Sequence, residues 1–206
     1  MANCREVYVA VWDRAESLAA FVHYDRFLPL QGDGRDGYFY PYEDEDEEHE
    51  AEPKIHIARA RTSGKRPKLD GLTGDQVVAE LHTLTHETGH FLWWHRGWHD
   101  DAAARAEIIE YRVAAGLFDQ VFENTKKTPN ATSLSDDDCT RMLAANMQRE
   151  LTDEQRRLIL VEEERAWTLG RELLVEFGYD GLAAYDARAV DGVYGYRVKL
   201  GHEPVV

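Results

Sequence analysis

The pattern of apolar and polar positions changes near residue 73, with short β-like segments before it and long helical segments after it. Three segments in the first part predict strands, at residues 6–12, 37–42 and 54–59, and the last alternates apolar with polar side chains as half-buried strands do. Residues 14–24 carry apolar side chains at helical spacing and predict a short helix.

Five helices are predicted after residue 73. The first and the fourth begin at a Thr that is followed three residues later by Gln, at Thr73–Gln76 and Thr152–Gln155. In such a capping box the two side chains satisfy backbone N–H groups of the first turn. The first helix is expected to run to about Trp94 and to stop at Gly97, and the fourth to end at Gly178. The other three are predicted over residues 101–123, 136–149 and 181–200.

These elements predict one α+β domain that covers residues 1–206, since a chain of this length builds one continuous core. A small N-terminal sheet of three or four strands is expected to lie beside the helix that starts at Thr73. The C-terminal half is expected to be mainly helical. Residues 43–52 are rich in Asp and Glu, and the repulsion among them predicts an exposed acidic loop.

The charge and composition of the chain indicate which kinds of molecule it can bind and where in the cell it is found. The chain carries 39 acidic and 24 basic residues, a net charge of -15, which repels nucleic acids and anionic membranes. No apolar run approaches the roughly 18 residues that span a bilayer, and the N-terminus lacks the pattern of a secretion signal. The two cysteines, Cys4 and Cys139, are too few for a disulfide framework. We therefore expect a cytoplasmic protein that binds neither nucleic acid nor membranes, while its oligomeric state stays open.

The predicted helix that starts at Thr73 contains the sequence His86-Glu87-Thr88-Gly89-His90. Residues four apart lie on one helical face, so the two imidazoles can bind one Zn²⁺ ion, which accepts nitrogen ligands in tetrahedral geometry. Glu87 projects beside that face as a general base. The metal acidifies its bound water and polarises a carbonyl group, and Glu87 takes the proton and passes it to the leaving amine. Apolar residues flank the motif, which indicates a buried helix whose polar side chains need partners.

This motif resembles the active-site helix of the zincin metallopeptidases, in particular of small intracellular ones that have Gly before the second His. The resemblance covers residues 54–98 and implies a peptidase that acts on an intracellular protein or peptide. In that superfamily an antiparallel edge strand precedes the motif helix and aligns the substrate. Residues 54–59 are placed to be this strand, so a zincin-like fold with a small antiparallel sheet packed on the motif helix is expected.

A catalytic zinc ion has three protein ligands, and we expect the third to be a Glu from another helix. Glu163 lies within an apolar stripe of the long predicted helix, where an ionised carboxylate without a cation would be costly. Residues 162–167 also resemble the ligand-bearing helix of small H-E-x-x-H proteins. Glu110 is the alternative, because its separation of 20 residues from His90 resembles that of thermolysin-like gluzincins, although Ala114 stands where these have Asp. We prefer Glu163.

The leading hypothesis is a zinc-dependent metallopeptidase with His86, His90 and Glu163 as zinc ligands and Glu87 as the general base. The alternative is a catalytically silent zincin-fold module that binds or regulates a partner. A DNA-associated protease of the SprT-like kind shares the motif but conflicts with the net charge of -15. The group that would stabilise the oxyanion stays open among four residues: Tyr111, His99, Tyr194 and Tyr196.

Overall fold

Six helices form most of what the structure, a computed structural model, describes: residues 3–18, 20–25, 37–40, 53–58, 69–100, 102–128 and 134–204. The helices are α1 (Cys4–Ser17), α2 (Gly74–Asp100), α3 (Ala102–Lys126), α4 (Asp136–Glu150), α5 (Asp153–Glu176) and α6 (Leu182–Lys199). Three strands precede α2: β1 (Phe21–Asp25), β2 (Gly37–Tyr40) and β3 (Lys54–Ala58). The predicted acidic loop at residues 43–52 lies outside the described residues. No helix in these ranges is both long enough and apolar enough to cross a membrane.

The three strands form one small sheet in the order β1, β3, β2. β1 pairs with β3 in parallel, with Val22 opposite Ile55, and β2 pairs with β3 in antiparallel orientation, with Phe39 opposite Ile55. Val22, Ile55 and Ile57 are fully buried, so one face of the sheet belongs to the core.

The predicted α+β fold with a small antiparallel sheet is wrong. The described chain is mostly helical, with helices of 14 to 27 residues against strands of four or five. The short sheet is mixed, because one of its two strand pairs is parallel. The expected substrate-aligning edge strand at residues 54–59 is also wrong, since β3 is the central strand and both of its edges are paired.

The N-terminal segment expected as a strand at residues 6–12 is helix α1. Its β-branched and aromatic residues favour strands, but intrinsic strand preference is weak and burial of a helical face overrides it. The helix expected at residues 14–24 is wrong too, because α1 ends at Ser17 and β1 begins at Phe21. The buried side chains of α1 recur in steps of three and four residues: Cys4, Val7, Tyr8, Val11, Trp12 and Ala15.

The two predicted capping boxes are confirmed. The Thr73 N–H donates to Gln76 Oε1 at 2.9 Å, and the Gln76 N–H donates to Thr73 Oγ1 at 3.3 Å. Thr152 and Gln155 repeat this arrangement before α5, at 2.9 and 3.2 Å. The end of α5 at Gly178 is confirmed as well, with a φ of 67° that glycine adopts without strain.

The predicted stop at Gly97 is wrong, because α2 continues to Asp100. A Cβ at Gly97 would lie 2.7 Å from Ile108 Cδ1 and 3.2 Å from Ala104 Cβ, both on α3. The missing side chain therefore permits a close helix contact inside a continuing helix.

Residue contacts divide the chain into two compact units. The first consists of Met1–His95 and Arg165–Asp186, and therefore holds α1, the sheet, most of α2 and the C-terminal half of α5. Tyr8 and Trp12 of α1 are buried in its core, and Phe39 of β2 packs edge-on against Phe91 of α2, with ring centroids 5.9 Å apart.

The second unit consists of Arg96–Glu164 and Ala187–Val206. Its core is an apolar cluster from α3, α4, the start of α5 and the end of α6. We call it the apolar cluster below; its buried members are Ala114, Phe118, Val121, Phe122, Leu143, Met147, Leu151, Ile159 and Leu200.

Candidate metal centre

Both histidines of the motif lie on one face of α2 with their ring nitrogens close together. Nε2 of His86 and Nε2 of His90 are 3.0 Å apart, and the ring centroids are 4.5 Å apart. The spacing of four residues causes this, because one helical turn contains 3.6 residues. His90 is 8% exposed and His86 is half-buried, so the pair lies largely inside the protein.

Helix α5 packs closely against α2 through glycines. A Cβ at Gly89 would overlap the carbonyl group of Ala166 and would lie 3.0 Å from its Cα. A Cβ at Gly170 would lie 2.9 Å from the Thr85 carbonyl oxygen. The two backbones therefore approach more closely than any larger residue at these positions would allow.

This approach brings Glu163 of α5 to the two histidines. One ligand atom each from His86, His90 and Glu163 lies within 4.8 Å of the other two, and Glu163 is only 5% exposed. Within the described part of the chain, no other three His, Cys, Asp or Glu side chains come together in this way. We call these three residues the ligand cluster.

The donor set and its geometry fit a zinc ion. Two nitrogens bound to zinc at about 2.0–2.1 Å in tetrahedral geometry lie about 3.3 Å apart, close to the observed 3.0 Å between His86 and His90. The third donor is a carboxylate, and a buried carboxylate is stabilised by a cation beside it. The ligand cluster therefore offers the three protein ligands that catalytic zinc sites use.

Glu87 lies next to the ligand cluster without belonging to it. It follows His86 directly on α2 and is 7% exposed. Because adjacent residues of a helix point about 100° apart, its carboxylate leaves the face that His86 and His90 share. This is the position expected of a general base that assists a metal ion without binding it.

Trp167 of α5 covers the His86 ring. The two rings are stacked with centroids 4.2 Å apart and planes inclined by 28°. Tyr185 lies on Trp167 at a centroid distance of 5.1 Å, and His82 meets Tyr185 edge-on at 5.2 Å. The orientation of His86 is therefore supported by packed rings, a feature that the motif alone does not predict.

Glu162 of α5 and the partly buried Tyr111 of α3 form a polar pair. Glu162 is 2% exposed and accepts a hydrogen bond from the Tyr111 hydroxyl. Burial raises the pKa of Tyr111 well above its ordinary value, and the carboxylates of Glu162 and Glu163 raise that pKa further. The phenol therefore stays protonated at neutral pH and acts as a donor to Glu162. The pair was not predicted, because the sequence does not show which residue of α3 faces Glu162.

The remaining predicted site residues lie elsewhere. Glu110, the alternative third ligand, is exposed on α3 and is absent from the ligand cluster. Tyr194 is 44% exposed, and Tyr196 stacks on Phe118 in the apolar cluster at 5.9 Å. The side chain of His99 lies outside the described part of the structure. Of the four candidates for the oxyanion group, Tyr111 interacts with the ligand-bearing turn of α5, but its hydroxyl donates to Glu162.

Comparison of the chain with protein-family models, with curated proteins and with solved structures finds no match.

Proposed function

We propose that this protein is a zinc-dependent metallopeptidase that hydrolyses peptide bonds of an intracellular protein or peptide. The observation that carries the proposal is the ligand cluster itself, in which His86, His90 and Glu163 bring two nitrogens and a carboxylate oxygen within 4.8 Å of one another. Glu87, buried one residue after His86, supplies the base that hydrolysis of an amide needs.

Each residue has a distinct task in this proposal. His86 and His90 hold the zinc ion from α2, and Glu163 holds it from α5. A bound zinc ion supplies Lewis acidity toward a carbonyl oxygen and acidifies water. Glu87 accepts the proton from the attacking water and returns it to the leaving amine, which cannot depart as an anion. The low exposure of Glu87 strengthens its interactions, because charges act over a lower dielectric inside the protein.

Partners and location follow from charge and thiol chemistry. A net charge of -15 disfavours nucleic acids and anionic membranes as partners, so a protein or peptide substrate is proposed. Cys4 and Cys139 are both free thiols, which fits a reducing compartment such as the cytoplasm.

Two observations favour a second candidate, a metal-binding module without hydrolytic activity. Glu87, His90 and Glu163 are 7%, 8% and 5% exposed, which leaves little of the site open to a peptide backbone. The central position of β3 also removes the strand that was expected to align a substrate. In such a module the metal ion stabilises the α2–α5 contact, since a ligand that binds only the folded state adds to its stability.

Metal analysis and a hydrolysis assay on the same variants separate these candidates. The wild type is expected to bind about one zinc ion per chain. Loss of a residue that only hydrogen-bonds to a metal ligand lowers metal affinity about 10–100-fold, and Glu163→Gln should lower the zinc affinity by more than this. Glu110→Gln should bind zinc as the wild type does. Glu87→Gln should keep its zinc and should cleave a mixture of internally quenched peptides about 10²–10⁴-fold more slowly.

Three results would contradict parts of this proposal. Zinc binding with no cleavage by the wild type would favour the silent module. Full zinc binding by Glu163→Gln, with a circular dichroism spectrum like that of the wild type, would contradict the proposed ligand set. If Glu110→Gln lost zinc and Glu163→Gln kept it, Glu110 would be the third ligand.

A further inference from the structure

A buried hydrogen-bond donor lies beside the ligand cluster. Trp167 is 8% exposed, and its indole Nε1–H has no hydrogen-bond acceptor among the residues that the structure describes. Indole nitrogens are donors only, and a buried donor normally has a partner because burial without one costs free energy. This donor therefore calls for an explanation that the core packing does not supply.

The rings around Trp167 fix the position of its N–H group. His86 stacks on the indole at 4.2 Å and Tyr185 lies against it at 5.1 Å. The Tyr185 hydroxyl donates to the main-chain carbonyl of Trp167 at 3.4 Å, and it does not serve the indole nitrogen. Because the indole is held by these two rings, its N–H group cannot turn freely to find an acceptor.

The same contacts place the indole ring of Trp167 beside the candidate metal centre. Trp167 follows Glu163 by one helical turn on α5, and its indole covers a ring of the ligand cluster. A molecule bound at the cluster would therefore lie beside the indole ring, and the N–H group is part of that ring. Since Trp offers a donor and no acceptor, the atom that it binds must be an acceptor, such as a carbonyl or carboxylate oxygen.

We propose that the indole N–H of Trp167 is a binding group for a carbonyl or carboxylate oxygen of the substrate beside the metal centre. The inference rests on the proposed function, because it assigns Trp167 to the substrate of the same site. Trp167 holds the acceptor group of the substrate next to the ligand cluster, and its ring face orients His86. Neither role follows from the H-E-x-x-H motif.

Acetohydroxamate, a small zinc-binding molecule with two oxygen acceptors, is a suitable probe. The five tryptophans give indole signals in a ¹H–¹⁵N spectrum, and Trp167→Phe identifies the signal of Trp167 by its loss. Adding acetohydroxamate to the zinc-loaded wild type should move the Trp167 signal downfield and slow its exchange with solvent. Trp167→Phe should bind the probe about two- to tenfold more weakly, the effect of one lost hydrogen bond, and should keep its zinc.

Trp98→Phe provides the matched control. Trp98 is half-buried on α2 and packs under the guanidinium of Arg105 at 5.6 Å. Its replacement should leave the affinity for acetohydroxamate unchanged. An unmoved Trp167 signal in the zinc-loaded wild type, or wild-type probe affinity in Trp167→Phe, would overturn this inference alone. Failure of the wild type to bind zinc would overturn the proposed function together with it.

Discussion

The α2–α5 contact and the apolar cluster are built from different kinds of residue. Where α5 meets α2, Gly89 lies against the main chain of Ala166, and Gly170 lies against the main-chain carbonyl of Thr85 and the Tyr185 hydroxyl. In the apolar cluster, by contrast, helices meet through large side chains such as Phe118, Phe122 and Met147. The first contact encloses polar ligand atoms, and the second encloses hydrocarbon.

The difference follows from what each contact has to achieve. The ligand cluster combines side chains of α2 and α5, and these two helices come close at positions where glycine leaves room for a neighbouring backbone. An apolar core needs volume filled at high density, which large side chains do and which several combinations satisfy. We therefore expect the α2–α5 contact to be intolerant of added atoms and the apolar cluster to be tolerant of small changes.

Gly89→Ala should have the largest effect. The added Cβ would overlap the Ala166 carbonyl group, and backbone atoms cannot move aside as a flexible side chain can. We expect a loss of about 1–3 kcal/mol in the free energy of unfolding, and loss of zinc binding because α5 must shift with Glu163. Urea denaturation and metal analysis of the purified variant measure the two effects.

Gly116→Ala is the control for this substitution. Gly116 lies within α3 with open space at the position of a Cβ, so alanine there should raise the stability of the helix by up to about 1 kcal/mol and leave zinc binding unchanged. A Gly89→Ala protein that keeps zinc and wild-type stability would show that α2 and α5 do not touch as described.

Ile159→Val should have an intermediate effect, confined to stability. Ile159 belongs to the apolar cluster and is 3% exposed, one helical turn before Glu163 on α5. Loss of one buried methyl group should lower the free energy of unfolding by about 0.5–1.5 kcal/mol. Zinc affinity, measured by competition with a chromophoric chelator, should stay the same. A parallel fall in affinity would mean that the two contacts on α5 are coupled.

The sequence predicts the local parts of the candidate site and misses the parts that depend on packing. The spacing of His86 and His90 is a property of one helix, and Glu163 stands out as a carboxylate in an apolar stripe. The ring of Trp167 on His86 and the pair of Tyr111 with Glu162 depend on which helix faces meet, and one sequence holds no signal for that. Gly89 and Gly170 are visible as residues, but their role as contact points is not.

The errors in the fold have the same origin. Residues 6–12 have the side chains of a strand, but Val7, Tyr8, Val11 and Trp12 are buried at helical spacing, and the face that is buried in the core decides between the two patterns. β3 pairs with β1 and β2, which are separate segments of the sequence. The alternation of apolar and polar side chains within Lys54–Ala58 therefore shows neither the parallel pairing with β1 nor the central position of β3. Capping boxes, in contrast, involve residues three apart, and both were predicted correctly.

The smallest expected effect is a fall in the free energy of unfolding at alkaline pH. It arises from the buried Tyr179 hydroxyl and not from the apolar cluster. Tyr179 is 5% exposed, and a hydrogen bond of 3.1 Å joins its hydroxyl to His82 of α2. Burial raises the pKa of Tyr179, and the nearby Cys4 and Asp180 raise it further. The unfolded chain therefore loses this proton at a lower pH than the folded chain does, so the stabilising contribution is complete below about pH 10 and declines as pH rises above it.

Tyr179→Phe removes that titration. Its free energy of unfolding, measured in urea from about pH 8 to about pH 11, should fall less steeply than that of the wild type. Some decline should remain, because burial raises the pKa of Tyr111 in the same direction. Ile159→Val, which changes only hydrocarbon, should lower stability equally at every pH. If Tyr179→Phe declined with pH as steeply as the wild type, Tyr179 would have to titrate alike in the folded and unfolded chains, contrary to its burial against His82.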